Sequence, residues 1–311
     1  MRVEAIVTED LDGLRERINT QLQRLAGAGD GPNTLVRGAV AESITAPGKR
    51  IRAMLVDLAL LDLGGQSADA IGAGCAVELV HTASLLLDDL PCMDDAQTRR
   101  GRPALHLAFG EDVAILAAVA LLGDAFGLIA RLDGVGADAR SAMSAALSEA
   151  IGVSGLVGGQ FQDLRQSDSY RDDGATEAND RKTGALFVAA LLMGAHLAGA
   201  GQKDQRLLRE AGLELGRAFQ LYDDLLDVAG DPRKMGKDVS KDRGKVLLAQ
   251  FLDTDAMLSQ IDAHAENASA AFAALPSGGP RLRQFLHHIF GALAVNRPAG
   301  RVAGLMPNLM G

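Results

Sequence analysis

The sequence predicts an all-α protein, a single large helical bundle around a deep central cavity. Of its 311 residues, 48% are hydrophobic, whereas aromatic residues make up only 4% and tryptophan is absent. Such a chain can bury a large core, but it favours closely packed helices over a β-sandwich, which uses more β-branched and aromatic residues. Apolar residues also recur at helical spacing along most of the chain, with short glycine-rich joints between them. A narrow polar stripe on one of these apolar helices predicts the cavity.

Ten predicted helices account for most of the chain, with boundaries good to about 2–4 residues. They span about residues 8–26, 33–45, 49–63, 67–90, 111–132, 136–158, 183–200, 203–229, 241–274 and 280–292. The polar stretches 165–180 and 231–245 are predicted surface loops. No internal repeat, low-complexity segment or interdomain linker interrupts the series. We therefore expect one domain over residues 1–311, with a short N-terminal helical segment and a loose C-terminal tail from about residue 296.

Two apolar stretches come near the length of a membrane span. Residues 113–130 are interrupted by Asp124, and residues 184–201 are interrupted only by His196. Neither reaches about 20 clean apolar residues with basic flanks, so a buried bundle helix is favoured over a spanning helix. The N-terminus also lacks the apolar segment of a signal peptide. We therefore expect no transmembrane segment and a cytoplasmic location.

Charge and cysteine content narrow the possible partners. The formal net charge is −9, which argues against nucleic acid because its binding depends on neutralising phosphates. The two cysteines, Cys75 and Cys92, lack metal-site spacing, so a disulfide framework is not expected and a reducing cytosol fits. The sequence contains no HExxH, GxSxG or Walker-type motif. Local clusters of charge are therefore the most informative features.

A first cluster of four aspartates lies at the end of an apolar helix, and its members are Asp88, Asp89, Asp94 and Asp95. At about 100° per residue, Glu78 and His81 share one side of that helix with the first two aspartates, and valine and leucine cover much of the rest. This polar stripe in an apolar helix predicts an internal polar cavity. Pro91 lacks a backbone donor and disrupts the helix, so a changed path after it can bring Asp94 beside Asp88.

A second cluster lies on the predicted helix 203–229 and comprises Asp223, Asp224 and Asp227. Together with Gln220 these residues are spaced i, i+3, i+4 and i+7, so they form one polar face on an otherwise apolar helix. Three carboxylates this close repel each other unless a cation lies among them, and oxygen ligands without histidine or cysteine suit Mg²⁺. A solvated acidic helix end is the alternative for either cluster alone. Two such clusters indicate several Mg²⁺ ions around one phosphorylated ligand.

Three groups of basic residues accompany the aspartates: Lys49, Arg50 and Arg52 in "PGKRIR"; Arg99, Arg100 and Arg102 in "RRGRP"; Lys182 and Lys237 in "RKTG" and "GKD". A helix start with glycine nearby favours anions, and arginine forks or lysine charges bind phosphate groups. By contrast, Lys203, Arg206 and Arg209 are interpreted as surface charges. The basic groups therefore predict a diphosphate ligand.

Six motifs resemble those of the trans-polyprenyl diphosphate synthases and follow in the order of that family. The two aspartate-rich motifs are "DDLPCMDDAQTRRGRP" and "FQLYDDLLDVAGDPRKMGKD", and the other four are "GKRIR", "HTASLLLDD", "GGQFQDL" and "KTGALF". Together they extend over about residues 40–250. The stretch "VELVHTASLLLDDLPCMDDAQTRRGRP" is especially similar to bacterial geranylgeranyl diphosphate synthases of carotenoid pathways. The resemblance implies a fold of the isoprenoid synthase type.

This resemblance implies a role for each matching residue. The ligands of about three Mg²⁺ ions per active site would be Asp88, Asp89, Asp94, Asp223, Asp224 and Asp227. The residues with direct roles in catalysis would be Asp88, Asp89, Asp94, Arg99, Lys182, Asp223 and Lys237. The allylic diphosphate would be bound by Arg99, Lys182, Thr183, Gln220 and Lys237. The isopentenyl diphosphate would be bound by Gly48, Lys49, Arg52, His81 and Arg100.

The implied reaction is an Mg²⁺-dependent ionisation, condensation and elimination that joins isopentenyl diphosphate head-to-tail to dimethylallyl, geranyl or farnesyl diphosphate. Small residues at Ala83 and Ser84, about one helical turn below Asp88, need not block a C15 tail. Together with the two-residue insertion Pro91–Cys92 they resemble the pattern of bacterial C20 synthases, and this resemblance implies all-trans geranylgeranyl diphosphate (C20) as the product. The alternatives are farnesyl (C15) or longer products, a non-catalytic synthase subunit and a class I terpene cyclase. Two intact aspartate motifs and "GKRIR" argue against the last two. The family also implies a homodimer.

Overall fold

The computed structural model describes residues 2–27, 33–66, 68–165, 180–229 and 254–295, with side chains at 11–27, 33–66, 68–165, 182–225 and 254–290. Within these ranges the chain forms twelve α-helices: α1 Arg2–Gly27, α2 Thr34–Thr45, α3 Ile51–Asp62, α4 Ala70–Asp88, α5 Leu105–Phe109, α6 Glu111–Ala130, α7 Ala137–Ile151, α8 Leu156–Arg165, α9 Ala185–Leu197, α10 Gln202–Ala229, α11 Thr254–Ala273 and α12 Pro280–Val295. A π-helical turn, Asp180–Gly184, comes directly before α9. These elements confirm the all-α prediction.

The predicted helix 136–158 is two helices in the structure, α7 and α8. The chain turns between them at residues 152–155, and a Cβ atom on Gly158 would lie 1.9 Å from the carbonyl oxygen of Val153. Only a glycine lets the backbone pass this close, so the glycines of "IGVSGLVGGQ" break the helix. Nearly all of the predicted loop 165–180, all of the loop 231–245 and the tail from residue 296 lie outside the described residues.

A short β-hairpin, absent from the sequence prediction, follows the first aspartate cluster. Its strands, β1 (Thr98–Arg99) and β2 (Arg102–Pro103), pair antiparallel. The two residues between them, Arg100 and Gly101, have φ angles of 52° and 75°. Two left-handed residues in a two-residue loop are the signature of a type I′ turn, whose twist matches that of the paired strands. The hairpin places Arg99 on a strand and Arg100 in the turn.

Helix α4 lies inside the bundle and packs against α1, α3, α6 and α9. Its residues 73–80 are all buried, and among them the carboxylate-bearing Glu78 is only 3% exposed. Most of the buried apolar residues form one large core cluster, and a small second cluster joins Ala146 of α7 to Val188 and Leu192 of α9. The helical bundle of the prediction is therefore confirmed, and the deep central cavity stays a prediction.

Asp62, at the end of α3, fixes the start of α12. Its buried carboxylate accepts hydrogen bonds from the backbone N–H groups of Leu282 at 2.9 Å and Arg281 at 3.2 Å. These first-turn donors have no partner within a helix, and a negative charge near them is favourable. Farther along α12, Phe290 packs edge-on against Phe219 of α10, with 5.2 Å between ring centroids. Helix α12 therefore supports the helix that carries the second aspartate cluster.

Three helical stretches within the described residues are long and apolar enough to cross a membrane by length and composition alone: Ala70–Asp88, Glu111–Ala130 and Ala137–Arg165. In the first, 67% of the apolar window is buried inside the protein, against 44% and 39% in the other two. The third is divided by the turn between α7 and α8. The predicted stretch 184–201 forms the 13-residue helix α9, shorter than the roughly 20 residues of a span. Packing inside the bundle therefore accounts for the apolar surface of α4.

Candidate active site

The first aspartate cluster forms a tight turn at the end of α4. The helix ends at Asp88, Pro91 follows within the turn, and the backbone N–H of Asp94 donates to the carbonyl oxygen of Asp88 at 2.9 Å. A second bond, from the N–H of Asp95 to the carbonyl oxygen of Leu90 at 3.0 Å, closes the turn. The chain thus returns Asp94 to Asp88, as the break at Pro91 predicted. Both side chains are half-buried, whereas Asp95 is exposed.

Asp89 is buried behind this turn and binds Arg99. It is 1% exposed, and its carboxylate accepts hydrogen bonds from Nε of Arg99, at 2.9 Å to Oδ1, and from Nη2. Burial acts to lower the pKa of Arg99, but the hydrogen bonds and charge of Asp89, with the charges of Asp88 and Asp94, raise it above its ordinary value. Adjacent aspartates therefore have different surroundings here. Asp88 is partly open, and Asp89 forms a buried ion pair.

Five predicted ligands of isopentenyl diphosphate come together beside α3, and we call this group the cationic pocket: Gly48, Lys49, Arg52, His81 and Arg100. A Cβ atom on Gly48 would lie 3.3 Å from Nη1 of Arg100. Nη1 of Arg52 lies 3.3 Å from Nε2 of His81, and the guanidinium carbon lies 4.6 Å from the ring centroid of Phe187. The structure thus brings these residues together, while their role as ligands stays a prediction.

The cationic pocket contains more positive than negative charge. Burial, and then the charges of four nearby arginines, hold the pKa of His81 well below its ordinary value. The imidazole is therefore neutral, and its Nε2 can accept the hydrogen bond from Arg52. Burial also lowers the pKa of Arg52 and of Arg100, although Glu78 acts to raise both. Nε of Arg52 is buried and has no hydrogen-bond partner among the described residues. A phosphate group would supply both the missing charge and an acceptor.

Lys182 and Thr183 lie in the π-helical turn before α9, a geometry that recurs at functional sites. Nζ of Lys182 donates to Oδ2 of Asp163 at 2.7 Å, and the hydroxyl of Thr183 donates to Oε1 of Gln220 at 2.9 Å. The turn contacts α10 closely because Gly216 lacks a side chain, and a Cβ atom there would lie 2.4 Å from a Cα atom of the turn. The structure therefore joins two segments that the sequence predicted separately.

The second aspartate cluster is not uniformly open to solvent. Asp223 is exposed, whereas Asp224 is 4% exposed and its Oδ1 accepts a hydrogen bond from Nε2 of Gln220 at 2.9 Å. Nζ of Lys49 in the cationic pocket lies 5.7 Å from the ring centroid of Tyr222, which directly precedes Asp223, so this cluster is near the pocket. The side chain of Asp227 and all of Lys237 lie outside the described residues. The polar face predicted on this helix therefore contains one open carboxylate and one buried carboxylate among its described members.

Mg²⁺ fits these carboxylates together with a phosphorylated ligand rather than alone. In the described parts of the chain, no three acidic, histidine or cysteine side chains converge in a way that could hold a metal ion. Mg²⁺ usually binds one or two protein carboxylates and completes its coordination with water and substrate phosphate. The half-buried Asp88 and Asp94 and the exposed Asp223 match that pattern.

Four residues near the site received no binding or catalytic role from the sequence: Glu78, Gln160, Asp163 and Phe187. Asp163 binds Lys182, Phe187 lies beneath Arg52, and the amide oxygen of Gln160 is buried without a hydrogen-bond partner among the described residues. Three of these residues lie in the motifs "GGQFQDL" and "KTGALF", and these motifs were the sequence signal that could have identified them. A motif does not tell a side chain that contacts a ligand from one that holds another side chain.

Ala83 and Ser84, the two predicted chain-length residues, differ in exposure. Ala83 is fully buried, whereas Ser84 is half-buried. The hydroxyl of Ser84 donates to the carbonyl oxygen of His81 at 2.9 Å. This bond satisfies the hydroxyl within α4, so Ser84 needs no polar partner from outside the helix. Of the two positions, Ser84 is the one with surface left for a ligand to contact.

Known proteins resemble this chain over most of its length. The sequence pattern described as "Polyprenyl synthetase" matches residues 33–250. The chain is 44% identical over 264 residues to the geranylgeranyl diphosphate synthase of Pantoea ananas, covering 84% of this chain and 86% of that protein. It is 37% identical over 268 residues to the farnesyl diphosphate synthase of Bacillus subtilis, covering 84% and 90%. A geranyltransferase from Helicobacter pylori, complexed with magnesium and isoprenyl diphosphate, superimposes with a TM-score of 0.81 at 26% identity, over 91% of this chain and 97% of that one.

These similarities confirm the recognition made from the six motifs and the activity class of a trans-prenyltransferase. The matched region contains both aspartate clusters, the cationic pocket and the π-helical turn. The similarity to a solved geranyltransferase confirms the fold type, because it extends over nearly the whole of both chains. The chain therefore belongs to the polyprenyl synthetase family.

Proposed function

We propose that the chain joins isopentenyl diphosphate head-to-tail to an allylic diphosphate and that its product is all-trans geranylgeranyl diphosphate (C20). One observation carries the proposal: the half-buried positive charges of the cationic pocket lie near the second aspartate cluster, in which Asp223 is exposed. The reaction needs two diphosphate sites, one that basic side chains can form and one that carboxylates can form through Mg²⁺. A terpene cyclase would need no isopentenyl site.

Asp88, Asp94 and Asp223 are the residues that would hold Mg²⁺, with about three ions per site. When bound, Mg²⁺ supplies stabilisation of the negative charge that develops on the leaving diphosphate. The magnesium in the related Helicobacter pylori complex supports this use of the metal. Asp227 is included in the proposal on its sequence position alone.

Asp89 and Asp224 receive positioning roles instead of the metal-ligand roles that the family motif suggests. Each is nearly inaccessible and already accepts hydrogen bonds, Asp89 from Arg99 and Asp224 from Gln220. A carboxylate in such a position orients its partner before substrate arrives, which reduces the entropy lost on binding.

The allylic diphosphate is bound in this proposal by half-buried basic groups that the protein holds in place. Arg99 is fixed by Asp89, and Lys182 is fixed by Asp163. Thr183 and Gln220, which are hydrogen-bonded to each other, complete the described part of this site. Lys237 is added from the sequence motif.

The proposed reaction has three steps. The C–O bond of the allylic diphosphate breaks, and its electron pair leaves with the diphosphate. The double bond of isopentenyl diphosphate then forms a new C–C bond to the allylic cation. A proton passes from the resulting cation to the departed diphosphate, and a new double bond forms. The side chains hold both diphosphates and exclude water, because water would trap the cation.

In this proposal, the side chains on α4 below the first aspartate cluster limit the length of the product. Ser84 lies about one helical turn, or roughly 6 Å, from Asp88, and its small side chain leaves space for a C15 starter. We expect Ser84→Phe to shift the product from C20 toward C15. Ala83→Tyr, at a fully buried position, would also overpack the core and lower stability. If the folded Ser84→Phe variant still produced C20, Ser84 would not be the residue that limits product length.

A homodimer is proposed from exposed apolar side chains on α6. Ile115, Leu116 and Val119 are 43%, 54% and 60% exposed on a helix that has no basic residue. Exposed apolar clusters of this kind mark interaction surfaces. Light scattering should give a dimer for the wild type and a monomer for Val119→Glu, and a monomeric wild type would contradict the assignment.

We also propose that residues 1–311 form a single domain in the cytoplasm. Helix α1 packs against α2, α3 and α4, so the N-terminal helix belongs to the same bundle. Both cysteines are free thiols, Cys75 buried and Cys92 exposed, which suits a reducing compartment. Which pathway uses the product, carotenoid biosynthesis included, stays a prediction.

The direct test is product analysis. Purified protein is incubated with Mg²⁺, isopentenyl diphosphate and, in turn, dimethylallyl, geranyl and farnesyl diphosphate, and the dephosphorylated products are separated by chromatography. We expect C20 from all three starters. C15 as the final product would make the chain a farnesyl diphosphate synthase, and no product from any starter would contradict prenyl transfer.

A further inference from the structure

Arg50 stands between Lys49 and Arg52 in the sequence but differs from both in the structure. It is 3% exposed, whereas its two basic neighbours are half-buried. Its guanidinium donates four hydrogen bonds, at 2.9, 3.1, 3.0 and 2.7 Å, to Asn19 Oδ1, Glu78 Oε1 and the carbonyl oxygens of Ile44 and Ala46. Arginine has five N–H donors, so Arg50 uses most of its capacity inside the protein.

These hydrogen bonds hold the segment of residues 46–50, which connects α2 to α3. They link it to α1 through Asn19 and to α4 through Glu78. Arg50 itself has a φ of 53°, a left-handed conformation that is unfavourable for any residue with a Cβ atom. Such a conformation persists only where surrounding contacts fix it. The shape of this segment therefore depends on the side chain of Arg50.

The same segment contributes two members of the cationic pocket, Gly48 and Lys49. A Cβ atom on Gly48 would lie 3.3 Å from Nη1 of Arg50 and 3.3 Å from Nη1 of Arg100. The backbone at Gly48 therefore lies against both guanidinium groups. One is bonded within the protein, and the other belongs to the pocket.

Glu78 connects Arg50 with the charge of the pocket. Its carboxylate is 3% exposed and is bonded to Arg50. The same negative charge acts to raise the pKa of Arg52 and of Arg100, against the effect of burial. One buried carboxylate thus balances Arg50 and favours the charged form of two pocket arginines.

We propose that Arg50 is a positioning residue for isopentenyl diphosphate. Bound to Glu78, it fixes segment 46–50 so that the members of the cationic pocket meet the diphosphate together, and it does not contact the substrate. The inference rests on the proposed function, in which this pocket binds isopentenyl diphosphate.

Arg50→Lys is the first test, because lysine keeps the positive charge but loses the planar fork of donors. We expect the KM for isopentenyl diphosphate to rise about tenfold, as for the loss of one or two hydrogen bonds to a charged group. The KM for geranyl diphosphate should change less than about twofold, because its site is held by other residues. Equal increases in both KM values, or no increase in a folded variant, would overturn the proposal.

A double variant tests whether removal of the unpaired charge is enough to restore binding. Arg50→Met leaves Glu78 buried and unpaired, and adding Glu78→Gln removes that charge. We expect the double variant to regain part of the melting temperature that Arg50→Met loses, while the KM for isopentenyl diphosphate stays at least about tenfold raised. Recovery of that KM along with stability would show a purely structural role and overturn the inference.

Glu214→Gln is the matched control. Glu214 accepts hydrogen bonds from Arg217 at 2.7 Å and from Asn267 at 3.1 Å, in a polar group between α10 and α11. Loss of its charge should change the melting temperature and neither KM. If it raises the KM for isopentenyl diphosphate as much as Arg50→Lys does, the effect is not specific to segment 46–50 and the inference fails.

Asn19→Ala keeps the test decisive if the Arg50 variants do not fold, since it removes only one of the four hydrogen bonds. Calorimetric titration with isopentenyl diphosphate alone should show about two- to fivefold weaker binding for this variant. Unchanged binding would contradict the proposal. If the wild type elongates no allylic diphosphate, the proposed function fails; if it does and these variants bind normally, only the positioning role fails.

Discussion

Both aspartate clusters contain an adjacent pair in which one carboxylate is buried and the other is at least partly open, but the buried members have different partners. At the end of α4, Asp89 forms an ion pair with Arg99. On α10, Asp224 accepts a hydrogen bond from the neutral amide of Gln220. The first pair straddles the end of a helix, and the second lies within a continuous one.

The difference shows that the buried aspartates of two identical "DD" pairs meet different requirements. Asp89 pairs with a charged group, because the half-buried guanidinium of Arg99 faces it. The hydrogen bond from Gln220 requires only an oxygen at position 224, which an uncharged side chain can also offer. The open members, Asp88 and Asp223, share the property that suits a metal and phosphate site: carboxylate oxygens that solvent or a ligand can reach.

The largest effect is expected at the open carboxylates. Asp88→Asn and Asp223→Asn should each lower kcat by about 100-fold or more, because each removes a charge that would hold Mg²⁺ at the leaving diphosphate. Steady-state assays at saturating substrate measure this, with circular dichroism to show that the fold is kept. A loss below about threefold in either variant would contradict the assignment of the open carboxylates.

An intermediate effect is expected for Asp89→Asn. The variant leaves Arg99 without its charged partner, so the free energy of unfolding should fall by about 1–3 kcal/mol. The KM for the allylic diphosphate should rise about tenfold, because Arg99 is no longer held in one orientation. Denaturant unfolding and initial rates test the two parts. A loss of kcat as large as that of Asp88→Asn would instead make Asp89 a metal ligand.

A smaller effect concerns His81, which the cationic pocket keeps neutral. Its pKa in the folded protein lies well below the ordinary value of about 6.5, so below that pH the unfolded chain binds a proton that the folded chain does not. Stability is therefore retained above about pH 6.5 and lost as pH falls toward the folded pKa. When the pH falls from 6.5 to 5.5, His81 should lower the free energy of unfolding by about 1 kcal/mol. The His81→Gln variant should lack this part of the pH dependence, which thermal unfolding over that pH range measures. If stability changed with pH equally in the variant and the wild type, the prediction would be contradicted.

The smallest effect is expected for Asp224→Asn. The asparagine oxygen can still accept the hydrogen bond from Gln220, so kcat and both KM values should stay within about threefold of the wild type. Asp224→Leu should do more damage, because it leaves Nε2 of Gln220 without this partner. Should Asp224→Asn be as impaired as Asp223→Asn, the contrast between open and buried aspartates would not hold on α10.

Local sequence determined the features that depend on neighbouring residues. Helical spacing of apolar residues predicted the all-α class, and Pro91 predicted the turn that returns Asp94 to Asp88. The break between α7 and α8 and the "RRGR" hairpin also depend on neighbouring residues, but neither was predicted. In both cases the decisive property is a backbone conformation or a close contact between backbone segments, and the pattern of apolar and polar side chains does not indicate either. The order of six motifs also indicated the family.

Only the tertiary structure decided which of two similar neighbours is buried. Arg50 and Arg52 read alike in "GKRIR", yet Arg50 pairs with Glu78, 28 residues away, and Arg52 faces the pocket. Thr183 meets Gln220 across 37 residues of sequence. The burial of a charged group depends on whether a distant part of the chain brings it a partner, because an unpaired buried charge is too costly. Periodicity within one helix carries no information about that partner.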